Sequence, residues 1–243
     1  MKTKTILITG AGSGIGHDAA IALAKRGHKV FATTFTIEQS ENLKNEIGNL
    51  PIETFKLDIT DSNEQILISN YEIDVLINNA GIGETGPLAE IPMERVRANF
   101  ETNVFGTLAV TQIALQQMMK RESGTVITVS STAGRIPRAF LSPYSMTKYA
   151  LSGGFAAMRE EMHQLFPNIH IALIEPGAFA TGFNQRMMNK KYEWLDNSKF
   201  FSKLIPKLKK SEEQFKWLER KTTDSIVTKI VEAVESDKPV LRA

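Results

Sequence analysis

Between a short apolar run, Thr5-Ile6-Leu7-Ile8-Thr9, and a stretch with helical periodicity lies the segment Gly10-Ala11-Gly12-Ser13-Gly14-Ile15-Gly16. No other feature of the chain limits its fold as strongly. Glycine reaches backbone conformations closed to other residues and carries no Cβ, so a strand can turn at once into a helix and other groups can approach closely. The helix that starts here presents free N–H groups and the positive end of its dipole to the turn, which suits a phosphate. The segment predicts a strand–loop–helix unit with a phosphate site at its loop. A tight turn without a ligand is the plainer alternative.

The rest of the chain repeats that unit. A helix from Ile15 to Arg26 stops at Gly27, and further helices are expected at Glu38–Ile47, Asp61–Asn70 (capped by Asp61), Met93–Met119, Pro143–Phe166 and Thr223–Glu235. Strands are expected at Lys29–Thr33, Ile52–Leu57, Val75–Ile77, Gly124–Val129 and Ile169–Ile174, with a short last one at Pro239–Leu241. These strands are apolar without alternation, as a parallel sheet buried on both faces requires. The pattern predicts an α/β fold: a single-domain, doubly wound (Rossmann-type) parallel sheet with helices on both faces. No repeat or linker divides residues 1–243. Residues 182–220 depart from the alternation. They combine large apolar side chains (Phe183, Met187, Met188, Leu204, Leu208, Phe215) with lysines, hold both tryptophans, and form an insertion between a strand end and the last helix.

Composition excludes several functions. The chain has no cysteine, hence no disulfide, thiolate metal site or Cys nucleophile, which fits a reducing, cytoplasmic setting. Its four histidines, His17, His28, His163 and His170, have no ligand spacing, so no metal site is expected. The net charge of +2 leaves no general nucleic-acid footprint. No run is long enough to span a membrane. Ile6-Leu7-Ile8 is too short for the apolar core of a signal peptide.

The second half of the chain carries acid–base chemistry. Tyr144 and Lys148 stand four apart on an expected helix, hence on one face. A phenol is a poor base at neutral pH, and a neighbouring ammonium is expected to lower its pKa. A tyrosine tuned in this way exchanges a proton with an alcohol or carbonyl oxygen. Ser131, at a strand end, is a candidate to hold that oxygen by a hydrogen bond; Ser130 is its rival, on the opposite face. No Gly-x-Ser-x-Gly elbow surrounds Ser131, which argues against a hydrolase. Asn103 and Gly106 are poor residues for a helix interior, so a local kink or a bound water is expected there.

At these positions the sequence resembles the short-chain dehydrogenase/reductase family. Its opening TGxxxGxG matches Thr9, Gly10, Gly14 and Gly16, and its NNAG motif matches Asn78-Asn79-Ala80-Gly81. Asn103, Ser131, Tyr144 and Lys148 match its active-site set, and Pro176-Gly177 with Thr181 matches the segment bordering nicotinamide. The resemblance implies an oxidoreductase that interconverts a hydroxyl and a carbonyl on a small alcohol or ketone. It implies that Asp58 and Ile59 bind adenine, that Asn79, Ala80 and Gly81 border the cofactor, and that Lys148 also bonds the nicotinamide ribose. It implies that Asn103 positions a water on the proton's route to solvent, and that the Phe179 backbone and the Thr181 hydroxyl fix the carboxamide. A non-catalytic NAD(P)-binding sensor on the same fold is the competing expectation.

Cofactor choice rests on the end of the second strand. The family usually places there, at the position of Thr34, an acid that favours NAD(H) and repels a 2′-phosphate. Basic residues are absent too, since Phe35 and Ser13 occupy the places where NADP-using members carry them. Hydroxyls of Ser13, Thr34 and Thr36 remain to donate to a phosphate, so NADP(H) is expected with NAD(H) possible; Thr34 as an ordinary strand-end residue is the alternative. By resemblance, residues 182–220 form a helical substrate lid, whose large side chains imply either an apolar substrate pocket or mere packing onto the body. Lys207, Lys209 and Lys210 are expected to form a solvated helix face, with contact to an anionic substrate tail as the alternative. By resemblance, the Met93–Met119 and Pro143–Phe166 helices pair across a two-fold axis, giving a homodimer or homotetramer. Their apolar residues, Val104, Leu108, Ile113, Leu115, Met119, Leu151, Phe155, Met158, Met162 and Leu165, are expected to leave some for that contact unless all are buried internally.

Overall fold

A computed structural model describes residues 2–243. Six strands, β1 (Thr5–Ile8), β2 (Lys29–Thr34), β3 (Ile52–Lys56), β4 (Val75–Asn78), β5 (Gly124–Val129) and β6 (Ile169–Ile174), form one parallel sheet in the order β3-β2-β1-β4-β5-β6. Successive side chains leave a strand on opposite faces. Ile6 and Ile8 therefore enter one core and Leu7 the other. Helices α1 (Gly14–Lys25), α2 (Ile37–Glu46) and α10 (Asp224–Glu235) cover the first face through Leu23, Leu43 and Ile230. Helices α5 (Thr107–Arg121) and α6 (Ser142–Leu165) cover the second through Val110, Met118, Leu151 and Phe155. The chain order reverses between β1 and β4. Their carboxyl ends part there and open the crevice where ligands bind in such sheets.

Three expected elements differ. The Asp61–Asn70 helix is a single turn, α3 (Ser62–Gln65), followed by a 3₁₀ stretch, although Asp61 does cap it by accepting from Asn63 N–H. The long Met93–Met119 helix is α4 (Met93–Phe100) joined to α5 through a π-helical turn over Glu101–Gly106. A Cβ on Gly106 would lie 2.6 Å from the Ile59 carbonyl oxygen, so the bulge passes where only glycine fits. Pro239–Leu241 forms no strand. The chain there meets β6 only at an isolated parallel bridge between Leu173 and Arg242. Pro239 has no N–H for a ladder, and the contacts that do form use Leu241 O and Ala243 N.

The lid consists of α7 (Phe183–Lys190), α8 (Tyr192–Leu195), a 3₁₀ turn at Ser202–Leu204 and α9 (Ile205–Lys216). No helix among the described residues is long and apolar enough to cross a membrane.

Candidate active site

Thr9 ties the open ends of β1 and β4 together. Its hydroxyl accepts from the backbone N–H groups of Asn79 and Ala80, both at 3.0 Å. The Asn79 amide returns the contact, donating to Thr9 O at 3.0 Å and Gly10 O at 2.9 Å. This strap fixes the glycine loop. Gly10 has φ +67°, and a Cβ there would stand 2.7 Å from Ala80 Cα. Gly14 has φ +62° and faces Thr181 across 3.0 Å from its would-be Cβ. The loop is thus shaped by what no side chain allows. Ser13 caps α1 only with its backbone, and no acid stands in the first turn, so the helix N-terminus keeps its positive field.

From this loop a cleft of about 1300 Å³ runs over the sheet edge to the lid. Gly10, Ser13, Gly14, Ile15, Asp58, Ile59, Asn79, Ala80, Gly81, Ser131, Tyr144, Lys148, Pro176, Gly177, Phe179 and Thr181 all line it. Thr36 does not, its hydroxyl accepting from Gln39 N–H at 3.2 Å, and three further expected residues do not either. Gly16 is buried behind the loop, where a Cβ would meet the Gly10 carbonyl oxygen at 2.8 Å, so its part is close packing. Thr34 is fully buried, and its hydroxyl donates to Thr36 O at 2.8 Å. The expected donation from Thr34 to a ribose phosphate is therefore replaced by a strand-end bond. Phe35 and Gln39 line this end instead. Gln39 also completes the capping box of α2 with Thr36.

Asn103 is the third, one layer behind the wall. The π turn aims its amide at residue 82: Oδ1 accepts from Ile82 N–H and Nδ2 donates to Ile82 O, both at 2.8 Å. Nδ2 also reaches Thr147 Oγ1 at 3.0 Å. Asn103 thereby clamps the chain after Gly81 to the helix that carries Tyr144 and Lys148.

Strand β5 ends at the two serines. Ser130 is buried and bonds Lys148 O at 3.1 Å and Ser152 Oγ at 2.8 Å. Ser131 points the other way, into the cleft, with Oγ accepting from Ala133 N–H at 3.1 Å and donating to Pro176 O at 3.4 Å, near the Tyr144 hydroxyl. Lys148 Nζ donates to Val129 O at 2.9 Å and stands 5.6 Å from the Tyr144 ring centre. Burial pushes the Lys148 ammonium down to about 8. Burial also holds the Tyr144 phenol well above its ordinary value, with the Ser131 contact pulling weakly the other way. This corrects the expectation that the ammonium lowers the phenol. Both groups are buried, and desolvation sets the direction of both shifts. Tyr144 is therefore a protonated phenol, and Lys148 an ammonium that releases its proton easily.

The far end of the cleft holds residues that motif spacing did not single out. Ile136, Arg138, Phe140 and Leu141, on the loop after Ser131, line one wall. Gly86 N–H donates to Phe140 O at 2.8 Å and joins that loop to the chain after β4. The only sequence signal was the break at Gly134 and Pro137. The lid supplies the other wall with Phe183, Met187, Met188, Leu204, Leu208 and Phe215, and the Phe183 ring lies 5.8 Å from that of Tyr144. Leu195 and Trp194 instead pack onto the body. The segment thus divides between side chains that line the cleft and side chains that pack away from it. Of the three lysines in the short basic run, only Lys207 lines the cleft.

A family model for short chain dehydrogenases matches residues 4–192. An uncharacterized oxidoreductase of Bacillus subtilis, YusZ, is 38% identical over 190 residues, covering 74% of this chain and 67% of its own. Retinol dehydrogenase 8 of Bos taurus is 32% identical over 198 residues, covering 77% of this chain and 62% of its own. The chain therefore spans about two thirds of the length of these relatives. A solved short-chain dehydrogenase from Streptomyces avermitilis superposes with a TM-score of 0.78 at 27% identity, over 100% of this chain and 88% of that one.

Proposed function

Because the chain belongs to the short-chain dehydrogenase/reductase family and is an oxidoreductase, we propose that it reduces a carbonyl on an apolar small molecule with NADP(H) as the preferred cofactor. One observation carries this reading: Ser131, Tyr144 and Lys148 line the same cleft as the glycine loop. The residues present fit a dinucleotide. The Gly10–Gly14 loop and the unencumbered start of α1 suit a diphosphate, and Asp58 and Ile59 lie where an adenine would be held. Ala80, Gly81, Lys148, Gly177, Phe179 and Thr181 line the part left for nicotinamide and its ribose. Among the described residues, Asp58 and Glu212 are the only acids lining the cleft, and neither lies on the β2 end. A 2′-phosphate there meets no carboxylate, which supports NADP(H), with NAD(H) remaining usable. When bound, the cofactor supplies the hydride.

The chain's own residues supply position and the proton. The Ser131 hydroxyl donates to the substrate carbonyl oxygen and polarises it. Tyr144, kept protonated by burial, passes its proton to that oxygen as negative charge gathers there, and Lys148 steadies the phenolate left behind. This proton order supports the reductive direction. The apolar lid wall supports a substrate with substantial hydrocarbon.

Assembly forms part of the proposal. The structure buries Val104, and Leu108, Ile113, Leu115, Met119, Leu151, Phe155, Met158 and Met162 join the sheet-facing core. The exposed candidates for a two-fold contact are Met93, Phe105, Tyr149 and Leu165, beside Leu108, Ile113, Met119, Met158 and Met162, which stay half-buried. A homodimer or homotetramer built on α4–α5 and α6 covers this smaller patch. Light scattering that finds only a fully active 27.0 kDa monomer removes that part of the proposal. For the reaction, cofactor consumption is followed with NADPH and NADH over aldehydes, ketones, steroids and acyl thioesters. Turnover of an apolar ketone with NADPH is expected. Cofactor binding without turnover on any of them overturns the enzyme reading in favour of a sensor.

A further inference from the structure

Helix α9 presents two faces of different character. Leu204, Leu208, Ser211 and Phe215 line the cleft. At 3.6 residues per turn, Lys209, Lys210, Glu213, Lys216 and Trp217 fall on the opposite side. Trp217 is 89% exposed, Leu218 71% and, before the helix, Phe200 63%. Large apolar side chains are seldom this open on both ends of one element.

Charge follows the same division. Residues 199–221 contain eight Lys or Arg and three Glu, whereas the whole chain carries only +2, so the remainder of the molecule is net acidic. Among the described residues, none of those eight cations takes part in an ion pair. Two of the three acids are engaged inward: Glu212 with Lys191 and Tyr192, and Glu219 with Asn184. Lys209 and Lys199 lie over the rings of Tyr192 and Phe200, which leaves their charge at the surface. The outer lid is thus a cationic surface edged by exposed Phe, Trp and Leu.

We propose that this outer face of the lid docks on an anionic lipid surface, so that the lid side of the cleft lies against the bilayer. Lysines gain from the negative potential of the headgroups, and Trp and Phe side chains enter the interface. A soluble polyanion satisfies the lysines and leaves Trp217, Leu218 and Phe200 in water; lipid satisfies both. Leu218, which lines the cleft and is largely exposed, joins the docking face to the apolar wall behind it. An apolar substrate then enters from the phase in which it is dissolved.

The test reads binding, with no cofactor or substrate present, so its outcome is separate from that of the proposed reaction. The whole protein is sedimented with vesicles of phosphatidylcholine alone and with vesicles containing phosphatidylglycerol as well. Binding to the anionic vesicles only, weakened by salt, is expected. Replacing Lys209, Lys210 and Lys216 together by Gln lowers that affinity about a hundredfold, at about 1 kcal/mol for each lysine. Trp217→Ser lowers it further while melting and heparin binding stay unchanged. Equal binding to both vesicles, none to either, or wild-type binding by the triple variant overturns the proposal. So does a Trp217→Ser protein that binds anionic vesicles as tightly as the parent, which marks the face as a general polyanion site.

Discussion

The glycine-loop end of the cleft and the lid end are built by opposite means. At the loop, backbone does the work: positive φ at Gly10 and Gly14, missing Cβ atoms, and the Thr9–Asn79 strap between β1 and β4. At the lid, side chains do it, through Met187, Leu208 and Phe215 on the cleft wall and a few polar ties behind them. A backbone cradle fits one shape and tolerates no added atom. A wall of Met, Leu and Phe is remade by changing residues, with the fold intact. One end is suited to a constant ligand and the other to a variable one.

Tyr144, the proposed proton donor, lies where the two ends meet, and its loss should have the largest effect. Tyr144→Phe keeps the ring against Phe183 and removes the proton, so turnover should fall about 10²–10⁴-fold. Titration of NADPH should show unchanged affinity. Near-parental turnover would remove Tyr144 from the mechanism.

Gly10→Ala tests the backbone side of the comparison. The new Cβ meets Ala80 Cα at 2.7 Å, and the left-handed conformation adds about 1–2 kcal/mol of strain. Cofactor affinity should drop tenfold or more, judged from about 1.4 kcal/mol per decade. Leu208→Ala, on the lid, should alter the substrate KM and leave cofactor affinity alone. If Leu208→Ala weakens NADPH as much as Gly10→Ala does, the two ends are not separable.

Lys148 gives the comparison a pH dependence. Its native pKa of about 8 lies below the ordinary lysine value, so the native state resists the proton. The penalty is full below about 8 and fades as pH rises towards the unfolded value of about 10.4. Lys148→Met removes a penalty of about 3 kcal/mol and loses a bond to Val129 O worth about 1 kcal/mol. The variant should be inactive yet melt roughly 4–8 °C higher at pH 7, with the gain shrinking above pH 8. Reductive turnover of the parent should decline through the same range as the ammonium is lost. A Tm gain independent of pH would show that packing, not charge, sets it.

What the sequence made legible follows the same division. Continuous apolar strands and glycine stops are local signals, and they located six strands and the helix that carries Tyr144 and Lys148 to within a residue or two. Asn103 and Gly106 in a helical pattern marked the π turn. What depends on direction or on distant partners was hidden. Thr34 sits at the right position in the chain, but the pleat and the Thr36 carbonyl turn its hydroxyl away. The sign of the Tyr144 shift depends on how deeply β5 and α6 bury the phenol, and spacing along the chain carries no measure of that. Arg138 and Phe140 enter the cleft through a loop held by Gly86, a contact between segments more than fifty residues apart.

The smallest expected effect concerns the ties behind the lid wall. Lys191 is almost wholly buried, donates to Met188 O at 2.9 Å and pairs with Glu212. Tyr192 donates to both Glu212 oxygens at 3.0 Å. These bonds join α7–α8 to α9, and Lys191 and Glu212 both reach the cleft. Glu212→Gln keeps the shape and one acceptor but leaves the buried ammonium without a counter-charge. Removing one partner of a buried pair is costly when the other cannot reach water. Here the lid lies at the surface, so water can reach Lys191 if α9 shifts outward. The strain should therefore appear as a looser lid rather than as unfolding of the sheet. Substrate KM should rise a few-fold, the equivalent of under about 1.4 kcal/mol, with cofactor affinity unchanged and the main melting transition within about 2 °C of the parent. A large fall in the main transition would mean that lid and sheet melt as one unit, and the division between a rigid cradle and a separately held wall would not stand.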